Sequence, residues 1–236
     1  MIILGDCKDV IKEYKDNSVQ HIITSPPYNF GKRGRDGVPK YEQFNDAKTQ
    51  SEYYEYICQR LDEFIRITQY YIFFIFQILT NNKIAYCNIF EHYKYNIKDV
   101  IIWGKTNPQP AIQKTCLSSA FEVILILCKE ELAKKRTFER VNWNNREKSN
   151  QNYNIIKGTG MEHGVRNIYK NKAVFPEYLI EHLILKFTQV EDIILDPFMG
   201  SGTVGVVCGR LLRNFIGIDI DAEQCKIAQE RINESD

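Results

Sequence analysis

Short apolar runs recur along this chain, and most are followed by a segment with helical spacing. The runs Ile2–Leu4, Val19–Thr24, Tyr70–Ile78, Asp99–Trp103, Phe121–Leu127, Asp192–Leu195 and Phe215–Asp219 read as strands. The segments Asp9–Tyr14, Ser51–Thr68, Pro176–Phe187, Thr203–Leu212 and Ala222–Ile232 read as helices, with Ser51 as a cap and Pro176 opening its helix. Strands that alternate with helices predict an α/β fold, a mostly parallel sheet with helices on both faces. Such sheets bind ligands at the carboxyl ends of their strands. With 236 residues and 44% hydrophobic side chains, the chain is expected to form a single domain over 1–236 with a sizeable core.

Seven cysteines are scattered without a CxxC pair, which excludes a zinc ribbon and argues against a disulfide framework. No metal site is expected. The sequence opens without a signal-peptide pattern, and its longest apolar stretch, Tyr70–Phe76, is too short to span a bilayer. A cytoplasmic protein without a membrane partner is therefore expected. The net charge of +1 conceals an uneven distribution. Residues 129–172 hold eleven Lys/Arg against five Glu, so the rest of the chain is acidic. That stretch also holds eight asparagines between Asn142 and Asn171 and has weak periodicity, so it reads as an insertion or an irregular subdomain. A basic stretch of this kind is either a solvated face or a surface for nucleic-acid phosphates.

Two motifs interrupt the pattern. The first, TSPPYN at 24–29, follows a strand. Pro26 and Pro27 remove two backbone donors and fix two φ angles, and each residue before a proline is pushed to an extended conformation. The turn is stiff, and it presents carbonyls and the Tyr28 ring. A polar, glycine-containing loop follows at 30–45, with Lys32, Arg33 and Arg35. The second motif, DPFMGSGTVG at 196–205, runs from a strand through a glycine turn into a helix. Glycine lets the backbone approach a ligand, and the helix start offers free N–H groups. Asp219 lies nineteen residues after Gly200 at the end of the next strand, where an acid can hold a ribose hydroxyl pair. Taken alone, this pattern fits a nicotinamide dinucleotide. However, little chain follows Asp219 to build a second mononucleotide half, and Asp196-Pro197-Phe198 is foreign to that fingerprint. A nucleoside with a short tail fits at least as well.

Together and in this order, the two motifs resemble the S-adenosylmethionine-dependent DNA amino-methyltransferases, which methylate N4 of cytosine or N6 of adenine. The proline motif precedes the glycine motif, as in the permuted beta group. GDC at 5–7, IIWGK at 101–105, AVFPEYLIEHLI at 173–184 and IGIDID at 216–221 resemble further blocks of that family. The resemblance implies a Rossmann-like, class I methyltransferase fold, S-adenosylmethionine as cofactor and double-stranded DNA as substrate. It implies cofactor contacts from Asp6, Asp196, Phe198, Gly200, Gly202, Thr203 and Asp219, and a catalytic turn made of Ser25, Pro26, Pro27 and Tyr28. The competing readings are structural: a turn residue for Asp6, a capping carboxylate for Asp196, core packing for Phe198 and a plain structural tyrosine for Tyr28.

The chemistry agrees with the resemblance. An exocyclic amine is a weak nucleophile because its lone pair is delocalised into the base. Acceptors on its hydrogens, here the Ser25 hydroxyl and the Pro26 carbonyl, favour a localised lone pair. Tyr28 offers a face for a base flipped out of the duplex. Positioning and electrostatics then carry catalysis, with no covalent intermediate. No Pro-Cys occurs, which argues against C5-cytosine chemistry. The acceptor chemistry suits either base; the resemblance implies N4 of cytosine, because family members with serine before Pro-Pro often act on it, with N6 of adenine as the alternative and RNA or protein amines as more distant ones. The family's target-recognition region falls at 129–172, and Lys32, Arg33 and Arg35 are assigned to DNA phosphates. So short a recognition region leaves room for a homodimer or for a companion restriction or modification protein.

Overall fold

A computed structural model describes residues 1–31, 45, 47–108, 115, 117–142, 154–160 and 174–235. Lys32, Arg33, Arg35 and much of 129–172 lie outside the described residues. In chain order the elements are β1 (Ile2–Leu4), α1 (Cys7–Val10) with a 3-10 turn at Ile11–Glu13, β2 (Val19–Thr24), α2 (Gln50–Ile67), β3 (Thr68–Phe76), α3 (Lys83–His92), β4 (Ile97–Lys105) and β5 (Phe121–Leu127). They continue with α4 (Glu130–Ala133), β6 (Ile155–Gly158), α5 (Glu177–Phe187), β7 (Ile193–Asp196), α6 (Thr203–Arg210), β8 (Asn214–Asp219) and α7 (Ala222–Ser235).

The strands form one eight-stranded sheet in the order β1-β8-β7-β2-β3-β5-β4-β6. Among the described residues only β5 runs antiparallel to both its neighbours, pairing Phe74 with Leu125 on one side and Ile102 with Val123 on the other. The expected mostly parallel α/β sheet is thus observed. Strand β3 shows why the sheet needs two helical layers. Ile72, Phe74 and Phe76 enter one core with Tyr53, Ile57, Leu61 and Phe64 of α2, while Tyr71, Phe73 and Ile75 enter the other with Leu179, Leu183 and Val207 of α5 and α6. A strand buried on both faces reads as a continuous apolar run because both sets of alternating side chains leave water.

Three local expectations change. Helix α2 is capped by Thr49, not Ser51: the Thr49 hydroxyl accepts from the Glu52 N–H while Glu52 reaches back to the Thr49 N–H, a reciprocal capping box. Helix α3 lies in a segment with no strong periodicity, and its burial depends on Ala85, Tyr86 and Ile89 meeting the aromatic sheet face, with Tyr86 stacked 3.9 Å from Phe76. The basic stretch is not wholly external to the fold. It supplies β6, which pairs in parallel with β4 through Ile102–Ile155 and Trp103–Ile156.

Candidate functional site

Four parallel strands, β1, β8, β7 and β2, are adjacent, and their carboxyl ends form one rim of the sheet. Leu4 pairs with Asp219, and the Gly5 N–H donates to the Asp219 carbonyl at 2.9 Å, so the GDC turn sits beside the end of β8. Asp196 pairs with Gly217, and Leu195 with Ile22, which puts both motif-bearing turns next to each other. They are joined directly, because the Thr24 hydroxyl donates to Asp196 Oδ1 at 2.7 Å in a buried position. The rim therefore gathers Asp6, Ser25, Pro26, Pro27, Tyr28, Asp196, Phe198, Gly200, Gly202, Thr203 and Asp219.

The glycine turn is built for close approach. Gly200 and Gly202 have φ of 51° and 77°, in the left-handed region that favours glycine. A Cβ on Gly202 would meet the Ala228 Cβ at 2.8 Å, so α7 packs directly on the turn. Asp219 holds the turn through its carboxylate: Oδ2 accepts from the Gly200 N–H at 2.8 Å and Oδ1 from the Asp221 N–H at 2.9 Å. Burial raises the pKa of Asp219, opposed by those backbone donors. Burial also pushes the Asp196 carboxyl up to about 7, against the pull of the Thr24 hydroxyl and the Phe198 N–H. Asp196 caps its own turn, with Oδ1 accepting from the Phe198 N–H at 3.1 Å. The Phe198 ring meets Phe64 edge-on at 6.4 Å while staying partly exposed at the rim.

Two assignments change in kind. Asp6 is the N-cap of α1, accepting from the Lys8 N–H at 2.9 Å, and it pairs with the buried Arg60 at 3.1 Å. The cap and the ion pair are structural roles of Asp6, and a ligand contact would be additional to them. Thr203 is buried, and its hydroxyl faces Arg231 Nη1 at 3.2 Å, not the open side of the turn. Arg231 also donates to the Ser201 carbonyl at 2.7 Å and hydroxyl at 3.0 Å, clamping α7 onto the glycine turn.

The proline turn is held by donors from α2 and from the loop after β3. The Pro27 carbonyl accepts from the Tyr53 hydroxyl at 2.8 Å, the Tyr28 carbonyl from Asn82 at 2.7 Å and the Phe30 carbonyl from Asn81 at 2.8 Å. Buried Asn29, at φ 57°, donates to the carbonyls of Lys48 and Asn81 and accepts from the Lys48 N–H. None of these bonds ends on the Pro26 carbonyl. Tyr28 is not the bare aromatic face expected. It is 6% exposed, lies beside Phe30 at 5.6 Å, and donates its hydroxyl proton to Glu122 Oε2 at 2.8 Å while accepting from the Ser25 hydroxyl at 3.0 Å. Lys105 pairs with the other Glu122 oxygen.

Sequence reading missed Arg60, Glu122, Lys105 and Arg231. Glu122 left a trace as the sole charge inside FEVILIL, and Lys105 as the charge ending IIWGK. Arg60 and Arg231 left none, because a basic residue in a helix reads as solvated until its neighbours are known. Among the described residues no group of three His, Cys, Asp or Glu could hold a metal, and no helix is long and apolar enough to cross a membrane.

Comparison with known proteins agrees with this geometry. A family model for DNA methylases that modify N6 or N4 amines matches residues 19–230. The type II methyltransferase M.HinfI of Haemophilus influenzae is 27% identical over 99% of this chain and 68% of its own length. The type II methyltransferase M2.LlaDCHI of Lactococcus lactis subsp. cremoris is 35% identical over 61% of this chain and 53% of its own length. Among solved structures, PvuII DNA methyltransferase (cytosine-N4-specific) superposes with a TM-score of 0.76 at 16% identity, covering 98% of this chain and 85% of that one. M1.HpyAVI in complex with S-adenosylmethionine superposes with a TM-score of 0.64 at 25% identity over 98% of both chains. With the proline turn and the glycine turn joined at one sheet rim and a family match across most of its length, this chain belongs to the N6/N4 DNA methylase family.

Proposed function

We propose that this protein transfers a methyl group from S-adenosylmethionine to the exocyclic amine of a base in duplex DNA, with N4 of cytosine as the acceptor. The observation that carries the reading is the Thr24–Asp196 hydrogen bond, which locks an acceptor-bearing turn against a glycine cradle. The residues present suit the cofactor. The left-handed Gly200 and Gly202 hold the turn's backbone in a conformation that glycine adopts without strain, and Asp219 stands at the strand end with carboxylate lone pairs beyond those its backbone donors use. When bound, S-adenosylmethionine supplies an electrophilic methyl group. The chain's own part is to orient the amine, exclude water and present acceptors. The Ser25 hydroxyl and the Pro26 carbonyl receive the amine hydrogens and favour a localised lone pair on nitrogen. The flipped base enters beside Tyr28 and Phe30, whose rings lie 5.6 Å apart next to the Ser25–Pro26 acceptors.

The preference for cytosine rests on serine standing before Pro-Pro. Residues 129–172 and the loop with Lys32, Arg33 and Arg35 are read as the DNA-contacting segments. Among the described part of that stretch, Lys134, Lys135 and Arg140 pair with Glu130, Glu139 and Asp192. Incubation with methyl-labelled S-adenosylmethionine and unmethylated duplex DNA, followed by nucleoside analysis, tests the reading. N4-methylcytosine is the expected product. N6-methyladenine in its place overturns the base assignment, and no labelled nucleoside overturns the function.

A further inference from the structure

Glu122 lies near the start of β5, and because β5 runs against the other strands, that start reaches the rim where the parallel strands end. The residue is 6% exposed, inside an otherwise apolar strand. A carboxylate in such a place is costly unless it is paired and hydrogen-bonded. Both of its oxygens are engaged, one by Lys105 from the end of β4 and the other by the Tyr28 hydroxyl at 2.8 Å. The Tyr28 oxygen in turn accepts from the Ser25 hydroxyl at 3.0 Å. The chain therefore runs Ser25, Tyr28, Glu122, Lys105, across segments far apart in sequence.

The order of protons along this chain follows from its last member. An ionised carboxylate only accepts, while each hydroxyl has one proton to give. Glu122 thus accepts the hydrogen bond of the Tyr28 hydroxyl, which leaves the Tyr28 oxygen to accept, and the Ser25 hydroxyl donates to it. What Ser25 then presents elsewhere is lone pairs alone. We propose that Glu122, held by Lys105, is a positioning residue that sets this hydrogen-bond direction and so keeps Ser25 an acceptor toward the substrate amine. The inference rests on the proposed function, because only an amine-binding turn needs Ser25 so oriented. Glu122→Gln keeps the size but can turn an NH2 toward Tyr28. The Tyr28 hydroxyl then donates toward Ser25 and consumes one of its lone pairs.

The test compares single-turnover methyl transfer to unmethylated plasmid DNA by the wild type, Glu122→Gln, Tyr28→Phe and the double variant, with S-adenosylmethionine affinity measured calorimetrically for each. Expected is a fall in the rate of about 10–100-fold for either single change, the size typical when an outer partner of a reacting group is lost. Affinity for S-adenosylmethionine should stay within about twofold, and the double variant should be no slower than the slower single one, as for residues acting as one unit. Wild-type rate in Glu122→Gln, or losses that multiply in the double variant, overturns the proposal. If Glu122→Gln fails to bind the cofactor or to unfold cooperatively, Tyr28→Phe and Lys105→Met decide in its place: a slowed rate at unchanged affinity supports the relay, and wild-type rates overturn it. A wild-type protein that labels no DNA refutes the proposed function itself, an outcome distinct from an active enzyme indifferent to Glu122.

Discussion

Thr24 and Asp196 are 172 residues apart in sequence, yet the Thr24 hydroxyl donates to Asp196 Oδ1 at 2.7 Å with both side chains buried. The bond is made where β2 and β7 end side by side. It ties the turn that carries Ser25 and Pro26 to the turn that carries Gly200 and Gly202, adding a buried side-chain bond to the parallel pairing of β2 with β7.

Replacing Thr24 with valine keeps the shape and removes the donor. Asp196 Oδ1 keeps only the Phe198 N–H. Urea denaturation should show a loss of about 1–3 kcal/mol, the cost of depriving a buried acceptor. Affinity for S-adenosylmethionine should fall as well, because the glycine turn loses its side-chain link to the proline turn; a variant as stable and as tight as the wild type would refute the coupling.

Gly202→Ala combines a φ of 77° with a Cβ placed 2.8 Å from the Ala228 Cβ and 3.1 Å from its Cα. Either α7 moves or the turn does. A destabilisation of about 1–3 kcal/mol is expected from strain and overpacking together. Thermal unfolding measures it, and cofactor titration should show weaker binding in the same variant.

Arg231→Met removes three donated contacts, to the Ser201 carbonyl and hydroxyl and to the Thr203 hydroxyl, while keeping an apolar stem over the glycine turn. Loss of a charged donor to buried acceptors predicts about 2 kcal/mol or more of destabilisation. Hydrogen exchange should increase selectively over α7 and residues 199–205.

The buried Asp196 has a pKa raised to about 7, far above the ordinary 3.8. The native protein thus holds a proton that the unfolded chain releases between those values. Its contribution favours the native state most below the unfolded pKa, declines as pH rises toward 7, and levels off above it. Asp196→Asn lacks this dependence. The stability of the wild type relative to that variant should therefore fall from pH 4 to pH 7, as read from denaturant midpoints; a flat difference would refute the raised pKa.

Much of the site was legible in sequence because its parts are local. A strand end, two prolines and a tyrosine define one turn, and a strand end followed by left-handed glycines defines the other, since backbone conformation there depends on a few adjacent residues. The strands Val19–Thr24 and Phe121–Leu127 have the bounds their apolar runs imply. Helix α3 was not legible, because its burial comes from meeting the aromatic sheet face and not from its own periodicity.

By itself, then, the sequence determined the α/β alternation, the two turns and their order along the chain. The tertiary structure alone decided that β5 enters the sheet antiparallel between β3 and β4, that Thr24 meets Asp196, that Arg231 clamps the glycine turn and that Glu122 reaches Tyr28 from 94 residues away. The physical reason is that a polar residue in a strand or helix can face water or a partner with equal local cost, and only packing of distant elements settles which.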